Sequence, residues 1–293
     1  MTEEEILNLK SLYNIYTGIL FNNDDFNQET KNNIIYEYPN ELKKLKSLYN
    51  IDKIAGYGTE FERGLKLVRY FHKRLKHLST FKNNIPCNSL DLLEYSLNNQ
   101  EHGINCLNKS KILQEMLLCL GIKARRVSIR PYSPYDWDSH VVCELYDNKY
   151  NKWIMLDMSM NVYFIDEHLT PLSVKEIRNN MKNQKIVTAI FENQSTDDLE
   201  KLFEINIQTN VYFAKNLFMF SFDEYSTFGP CDRQLYYVPK NFNLREYFER
   251  NLEFKAKNCI IKDDFDKNFI DYCKIHFENL VKNDFVYIDE KEV

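Results

Sequence analysis

The 293-residue chain lacks the features that mark several large classes of protein. Nowhere do 18 apolar residues follow one another, so no stretch predicts a transmembrane helix. There is no excess of positive charge, because the formal net charge is -5 and the pI is about 5.8, so nucleic acid is not an expected partner. No repeat, low-complexity tract or Gly/Ser linker divides the chain. We therefore expect one continuous body.

The seven cysteines do not follow the patterns of a disulfide scaffold or a zinc module. Their number is odd and their spacing irregular, which is typical of reduced thiols. No CxxC pair is present, so we predict no metal site. Nor do we expect an organic cofactor. The segment Met1-Thr2-Glu3-Glu4-Glu5 is acidic and leads into an amphipathic helical pattern instead of an apolar signal. The sequence therefore predicts a cytoplasmic protein with no membrane partner.

The chain does contain ample material for a core, since 44% of its residues are hydrophobic. Helical spacing predicts helices near residues 6–20, 41–49, 61–75, 90–97 and 106–120, a short helix capped by Ser173, a helix from Leu244 and a long terminal helix near 269–281. Alternating apolar residues predict strands near 127–129, 141–145 and 153–157. Aromatic runs predict further strands near 211–222 and 235–238. Helices followed by strands indicate an α+β protein.

The central feature of the sequence is the helix that begins at Cys106 and ends at Gly121. Asn105 is a favourable N-cap, and apolar residues on several faces of the helix predict burial. The unpaired N–H groups and the macrodipole at a helix N-terminus stabilise an anion. The Cys106 thiol is thus expected to ionise readily, and Cys106 is the candidate nucleophile.

His140 and Asp157 supply a base and an orienting acid for that nucleophile. His140 opens one predicted strand and Asp157 closes the next. A four-residue loop over 147–150 would pair Tyr146 with Asn151 and set His140 directly opposite Asp157 on one face of the hairpin. Cys143 then falls on the other face, which argues against a metal site that includes both His140 and Cys143.

Several of these segments together resemble the transglutaminase-like superfamily. They are Gly103-Ile104-Asn105-Cys106, residues 117–126 (LLCLGIKARR), Ser139-His140-Val141 and residues 152–157 (KWIMLD). The resemblance implies a papain-like α+β core with a central helix packed on an antiparallel sheet. It also implies a catalytic core over residues 59–166, a helical N-terminal extension over 1–58 and a mixed C-terminal extension over 167–293.

The resemblance implies acyl transfer from an amide through a thioester, with a peptide or protein amide as substrate. Cys106, His140 and Asp157 match the nucleophile, base and orienting acid. Protease, deamidase, deglycosylating amidase and crosslinker share this triad and differ in the cleft and in water access, so the sequence does not distinguish among them. It also does not predict an oligomeric state. A catalytically silent domain that binds a protein partner is the alternative, and a structural zinc module is a second one that the register disfavours.

Two further parts of an active site can be assigned to candidate residues. The backbone N–H of Cys106 is a natural oxyanion donor, and Gln100 could reach back as the second donor or could be merely solvated. The loop that leads to His140 carries Tyr132, Tyr135 and Trp137. These aromatic side chains either wall the substrate cleft or make ordinary loop contacts.

Overall fold

The computed structural model describes residues 1–26, 32–99, 101–185, 187–191, 199–258, 271, 274–275 and 285–293. In chain order its elements are α1 (Glu3–Asn22), β1 (Ile35–Tyr36), α2 (Asn40–Leu48), α3 (Ile51–Ala55), α4 (Glu60–His72), α5 (Ser89–Asn98), α6 (Cys106–Cys119), β2 (Ala124–Arg130), β3 (His140–Asp147), β4 (Lys152–Leu156), β5 (Val162–Ile165), α7 (Val174–Lys182), β6 (Thr188–Phe191), α8 (Leu199–Asn216), β7 (Met219–Asp223), β8 (Tyr225–Ser226), β9 (Gln234–Tyr237), α9 (Leu244–Asn258) and β10 (Val286–Tyr287). The predicted α+β class is confirmed. No helix in these ranges is both long and apolar enough to cross a membrane.

A six-stranded sheet forms the centre of the molecule, with the strand order β10-β9-β7-β2-β3-β4. Its neighbours run antiparallel except for β9 and β10, which are parallel. Two small sheets, β1-β8 and β5-β6, lie outside it. The first of these joins a strand before α2 to a strand after β7, so distant parts of the chain are hydrogen-bonded together.

Helices cover both faces of the large sheet, because its strands carry apolar side chains on both sides. One core lies between the sheet and α2 to α6, and includes Leu117, Cys143 and Leu145. The other lies between the opposite face and α1, α7, α8 and α9, and includes Val142 and Phe213. Alternate residues of β3 enter alternate cores, as the period of two requires.

Helix α6 lies in the first core, and its start is set by local signals. The side chain of Asn105 accepts a hydrogen bond from the N–H of Asn108 at 3.2 Å, which confirms the predicted N-cap. The predicted caps at Thr59 and Ser173 are confirmed as complete capping boxes. These contacts satisfy N–H groups that the first turn of a helix leaves unpaired, and so define where each helix begins.

The predicted strand near 211–222 is wrong in its first half. Residues up to Asn216 continue α8, and the strand begins only at Met219. The apolar run Val211-Tyr212-Phe213-Ala214 has no clear period, and a short apolar run does not distinguish a strand from a buried helix. The predicted terminal helix near 269–281 lies largely outside the described residues.

The predicted register of the β3–β4 hairpin is also wrong, by two residues. Tyr146 pairs with Trp153, not with Asn151, and the four-residue loop comprises residues 148–151. Asp147 ends the strand because its carboxylate accepts hydrogen bonds from the N–H groups of Lys149 and Tyr150 in the loop, at 2.9 and 3.1 Å. The observed loop has the predicted length but begins one residue later, which shifts the partner of each β3 residue by two positions along β4. A shift of two residues leaves every side chain on the same face of the hairpin.

Candidate active site

Cys106 is the first residue of α6, and the residue is half-buried. An N–H in the first turn of a helix has no acceptor within that helix. The backbone N–H of Cys106 therefore lies beside the sulfur as a possible hydrogen-bond donor. Ser110, one turn further on, donates a hydrogen bond to the backbone oxygen of Val141 at 2.6 Å. This contact joins the head of α6 to the start of β3, where His140 lies.

His140 and Asp157 meet in a buried hydrogen bond. The distance from His140 Nε2 to Asp157 Oδ2 is 2.7 Å, and the two residues are 5% and 0% exposed. Continuing the observed register places Val142, not His140, directly opposite Asp157. His140 is thus a diagonal neighbour of Asp157 on the same face, within the reach of a long side chain.

The surroundings of Asp157 keep its carboxylate ionised. Burial by itself raises the pKa of Asp157, but the His140 ring and the backbone N–H groups of Met160 and Ser159 outweigh burial and lower the pKa below its usual value. Those two N–H groups donate to Oδ1 at 3.1 and 2.7 Å. Since Oδ1 is occupied by the backbone, Oδ2 is aimed at His140. A carboxylate bonded to Nε2–H leaves Nδ1 of the neutral ring as its proton acceptor.

His140 has the electrostatics of a base that becomes charged. Burial alone would lower the pKa of His140, but the charge and hydrogen bond of Asp157, with a smaller contribution from Cys106, raise it well above its ordinary value. Cys106 is therefore within electrostatic reach of the ring. A side-chain hydrogen bond with the Cys106 thiol is part of that contribution to the raised pKa of His140, and such contacts often tighten further when substrate binds.

Comparison with known protein families concerns this same part of the chain. Residues 49–158, less than half of the 293 residues, match the model of the transglutaminase-like superfamily. This segment is a transglutaminase-like domain. It contains Cys106, His140 and Asp157, whereas α7, α8 and α9 lie outside the match. No curated protein matches the chain.

Other cysteines of the transglutaminase-like domain have environments that suppress ionisation. Burial raises the pKa of Cys119 to about 12. Cys143 is fully buried, and its pKa is raised further by burial and by Glu144. Beyond the domain, burial also raises the pKa of Cys231. Because the thiolate is the nucleophile, these three side chains are poor competitors of Cys106.

Lys109 was missed by the sequence reasoning, although it lies near the candidate nucleophile. It follows Cys106 by three residues, so both occupy one face of α6, and its side chain is 1% exposed. Burial lowers the pKa of Lys109 to about 8, while the charges of Asp157 and Cys106 oppose that change. A lysine three residues after a cysteine at a helix start was the available signal.

Tyr212 and Phe213 were also missed, because they fall in the segment predicted as a strand. Their rings meet the ring of His140 edge-on, at centroid distances of 5.6 and 6.1 Å. Both belong to α8, outside the transglutaminase-like domain. Burial raises the pKa of Tyr212, and the charges of Asp138 and Cys106 raise it further. The hydroxyl of Tyr212 therefore stays protonated beside the candidate site.

The three aromatic residues predicted to wall the cleft contact other aromatic side chains, and their role at the cleft stays a prediction. Tyr135 and Trp137 contact Phe254 of α9, at centroid distances of 6.0 and 5.5 Å, and Tyr132 contacts Phe218. The cavity of about 690 Å³ that Tyr132 and Tyr135 line includes none of the three candidate catalytic residues. Gln100 lies outside the described residues, so its role as an oxyanion donor stays a prediction.

The described residues do not provide a ligand set for a metal ion. They contain no group of three or more His, Cys, Asp and Glu side chains arranged to hold a metal ion. His72, for example, contacts the backbone oxygen of Met158 through Nδ1 at 2.9 Å. His102 likewise contacts the backbone oxygen of Tyr95.

Proposed function

We propose that this protein is a cysteine-dependent amide hydrolase or acyltransferase with Cys106, His140 and Asp157 as its catalytic triad. The observation that carries the proposal is the buried 2.7 Å hydrogen bond between His140 Nε2 and Asp157 Oδ2, next to a half-buried cysteine at a helix N-terminus. Membership of the domain in a superfamily of acyl-transfer enzymes supports it. Burying a carboxylate–imidazole pair costs desolvation free energy, and such pairs are concentrated at functional sites. In a catalytic triad the carboxylate orients the imidazole base.

The reaction would proceed in two halves. His140 takes the proton of the Cys106 thiol, and the thiolate attacks the carbonyl carbon of the amide. The backbone N–H of Cys106 donates to the developing oxyanion. The C–N bond then breaks as His140 returns the proton to the leaving amine, which produces a thioester on Cys106. Water or a primary amine, deprotonated by His140, attacks the thioester and regenerates the thiol.

Alkylation separates this proposal from a silent binding domain. Folded protein is treated with limiting iodoacetamide near pH 6.5, and the labelled cysteine is identified by mass spectrometry. We expect Cys106 to react first, ahead of the half-buried Cys87, because Cys106 is the first residue of a helix and has the His140 imidazole within electrostatic reach. First reaction at Cys87 or Cys231, with Cys106 unmodified, would favour the binding domain.

Turnover is tested with a glutamine-containing peptide library, with and without a primary amine. Wild type, Cys106→Ala and the control Cys87→Ala are compared after equal thermal stability has been established. Amine gain indicates transfer, ammonia loss indicates deamidation, and chain cleavage indicates proteolysis. We expect Cys106→Ala to abolish the product and Cys87→Ala to retain it. Identical product profiles from wild type and Cys106→Ala would remove peptide amides as substrates.

A further inference from the structure

A basic cleft lies next to the candidate active site. Its volume is about 820 Å³, within the roughly 300–1,000 Å³ common for ligand sites. Its titratable lining groups are His72, Lys73, Arg74, Lys76, His77, Lys109 and Glu101. The single carboxylate among them, Glu101, already forms an ion pair with Lys76 at 2.6 Å. The cleft is therefore positively charged, although the whole chain has a net charge of -5.

The backbone ties the wall of this cleft to the head of α6. The N–H of Leu78 donates to the oxygen of Ile104 at 3.0 Å, and the N–H of Ile104 donates to the oxygen of Lys76 at 3.1 Å. His77 and Ile104 form an isolated β-bridge. Since Ile104 precedes Cys106 by two residues, the basic wall and the candidate nucleophile are held in adjacent positions.

Gly103 allows this close approach. A Cβ atom at position 103 would lie 2.6 Å from the Cβ of Leu78, too close for any side chain without movement of the backbone. The segment that carries Lys76 and His77 is therefore packed against the entrance to α6 at a distance that only glycine permits. The cleft and the cysteine form one local structure.

Lys109 connects the interior of the cleft to the candidate triad. Its side chain is 1% exposed and lines the cleft, yet within the described ranges no carboxylate lies within 4 Å of its ammonium group, nor does that group donate a hydrogen bond. A buried cation without a partner is costly, and native proteins rarely keep one. Asp157 and Cys106 act on it only from a longer range. Lys109 thus contributes a largely desolvated positive charge to the lining of the cleft.

We propose that this cleft binds the carboxylate groups of an acidic peptide, and that Lys109 pairs with the carboxylate nearest the reacting amide. The inference rests on the proposed function for the identity of the ligand as a peptide, because the adjoining site is suited to amide chemistry. Carboxylates match the spread of cations along the wall. A charge-assisted pair with a buried ammonium is also stronger than one at an exposed lysine.

The test measures binding without turnover. Cys106→Ala, as the full chain, is titrated against a fluorescent peptide with glutamate residues on both sides of a glutamine, and against the same peptide with each glutamate replaced by glutamine. Fluorescence anisotropy gives Kd at two salt concentrations. We expect the acidic peptide to bind at least about tenfold more tightly than the neutral one, the size of one hydrogen bond to a charged group. This preference should decrease as salt is raised.

Second-site variants locate the binding. Lys109→Met in the Cys106→Ala background should weaken acidic peptide binding by about tenfold or more and leave neutral peptide binding unchanged. The matched control is Lys43→Met, an exposed lysine of α2 that does not line the cleft. If Lys109→Met does not fold, the exposed pair Arg74→Gln and Lys76→Gln decides the question, with a smaller loss expected.

The outcomes separate this inference from the proposed function. Equal affinity for the two peptides, or an equal effect of Lys43→Met and Lys109→Met, would overturn the acidic-peptide site. Turnover by wild type without any preference for acidic peptides would keep the proposed function and remove the inference. Tight, Lys109-dependent binding of the acidic peptide without conversion by wild type would keep the site and remove the proposed function.

Discussion

Helix α6 carries two buried lysines, Lys109 and Lys111, whose surroundings differ. Lys111 lies 3.4 Å from Glu115 and donates a hydrogen bond to the backbone oxygen of Thr227 at 2.8 Å. Glu115 also accepts hydrogen bonds from Ser89 and from the N–H of Gly229. In the part of the chain that the structure describes, the ammonium of Lys109 has no such partner and borders the basic cleft.

The comparison separates a structural charge from a functional one. Both ammonium groups lose their hydration on folding, which costs free energy unless a partner replaces the water. In the middle of α6 the partners are present, and they join the helix to α5 and to the segment after β8. At its head the cation is left open beside Cys106 and Asp157. Burial without pairing at a cleft is a signal of function more than of stability.

The largest effect on the reactivity of Cys106, at the head of α6, is expected from Asp157→Asn. Replacing the orienting acid should lower turnover and the alkylation rate of Cys106 by as much as about 10⁴-fold, the effect of this change in a serine triad, because Asn does not stabilise the imidazolium. Stopped-flow alkylation measures it. Asp232→Asn, at an exposed carboxylate, is the control and should react like wild type. An unchanged rate in Asp157→Asn would refute the triad.

The two lysines can be compared directly by stability. Lys111→Met should lower the free energy of unfolding by about 3–5 kcal/mol, because it leaves Glu115 buried without a cation. Lys109→Met removes an unpartnered charge from a buried position, so it should be neutral or stabilising. Urea denaturation of both variants provides the measurement. Equal losses would mean that the distinction between the head and the middle of the helix is wrong.

The pH dependence of stability tests the His140–Asp157 pair. The pKa of folded His140 is raised above the unfolded value near 6.5, so its contribution is fully present below that pH and is lost as pH rises through the folded pKa. At pH 6 we expect His140→Gln to cost about 1.5–3 kcal/mol, typical of a hydrogen bond to a charged group, and less at pH 9. Exposed His168, replaced by Gln, is the control. A pH-independent difference would contradict the raised pKa.

The smallest expected effect concerns Tyr212, which contacts His140 from outside the transglutaminase-like domain. Tyr212→Leu removes the edge-on ring contact with His140, worth about 0.5–1.5 kcal/mol. Alkylation of Cys106 should slow by up to about tenfold. Phe203→Leu, an exposed position of the same helix, should have no effect. A similar slowing in both variants would indicate that α8 acts only through general packing.

Local chemistry was sufficient to predict much of this molecule. The N-caps Thr59, Asn105 and Ser173 act within one turn of chain, so their partners can be identified from sequence spacing alone. Alternation likewise predicted β2, β3 and β4, and the motifs near Cys106, His140 and Asp157 predicted the family. The predicted His140–Asp157 hydrogen bond is present because an error of two residues in register preserves the face of a strand.

Tertiary structure decided the features that depend on contacts distant in sequence. Asp147 ends β3 in part because its carboxylate also accepts a hydrogen bond from the N–H of Phe61, 86 residues away. The run around Tyr212 is a helix because it packs between α1 and β2. Such tertiary packing overrides the intrinsic helix or strand propensity of the residues, which is only a weak determinant. The sequence alone determined that Lys109 follows Cys106 by three residues. Only the packing of Leu78 against Gly103 and the burial of α6 decided that its ammonium lies, unpaired, at a basic cleft, because desolvation depends on every neighbour in space.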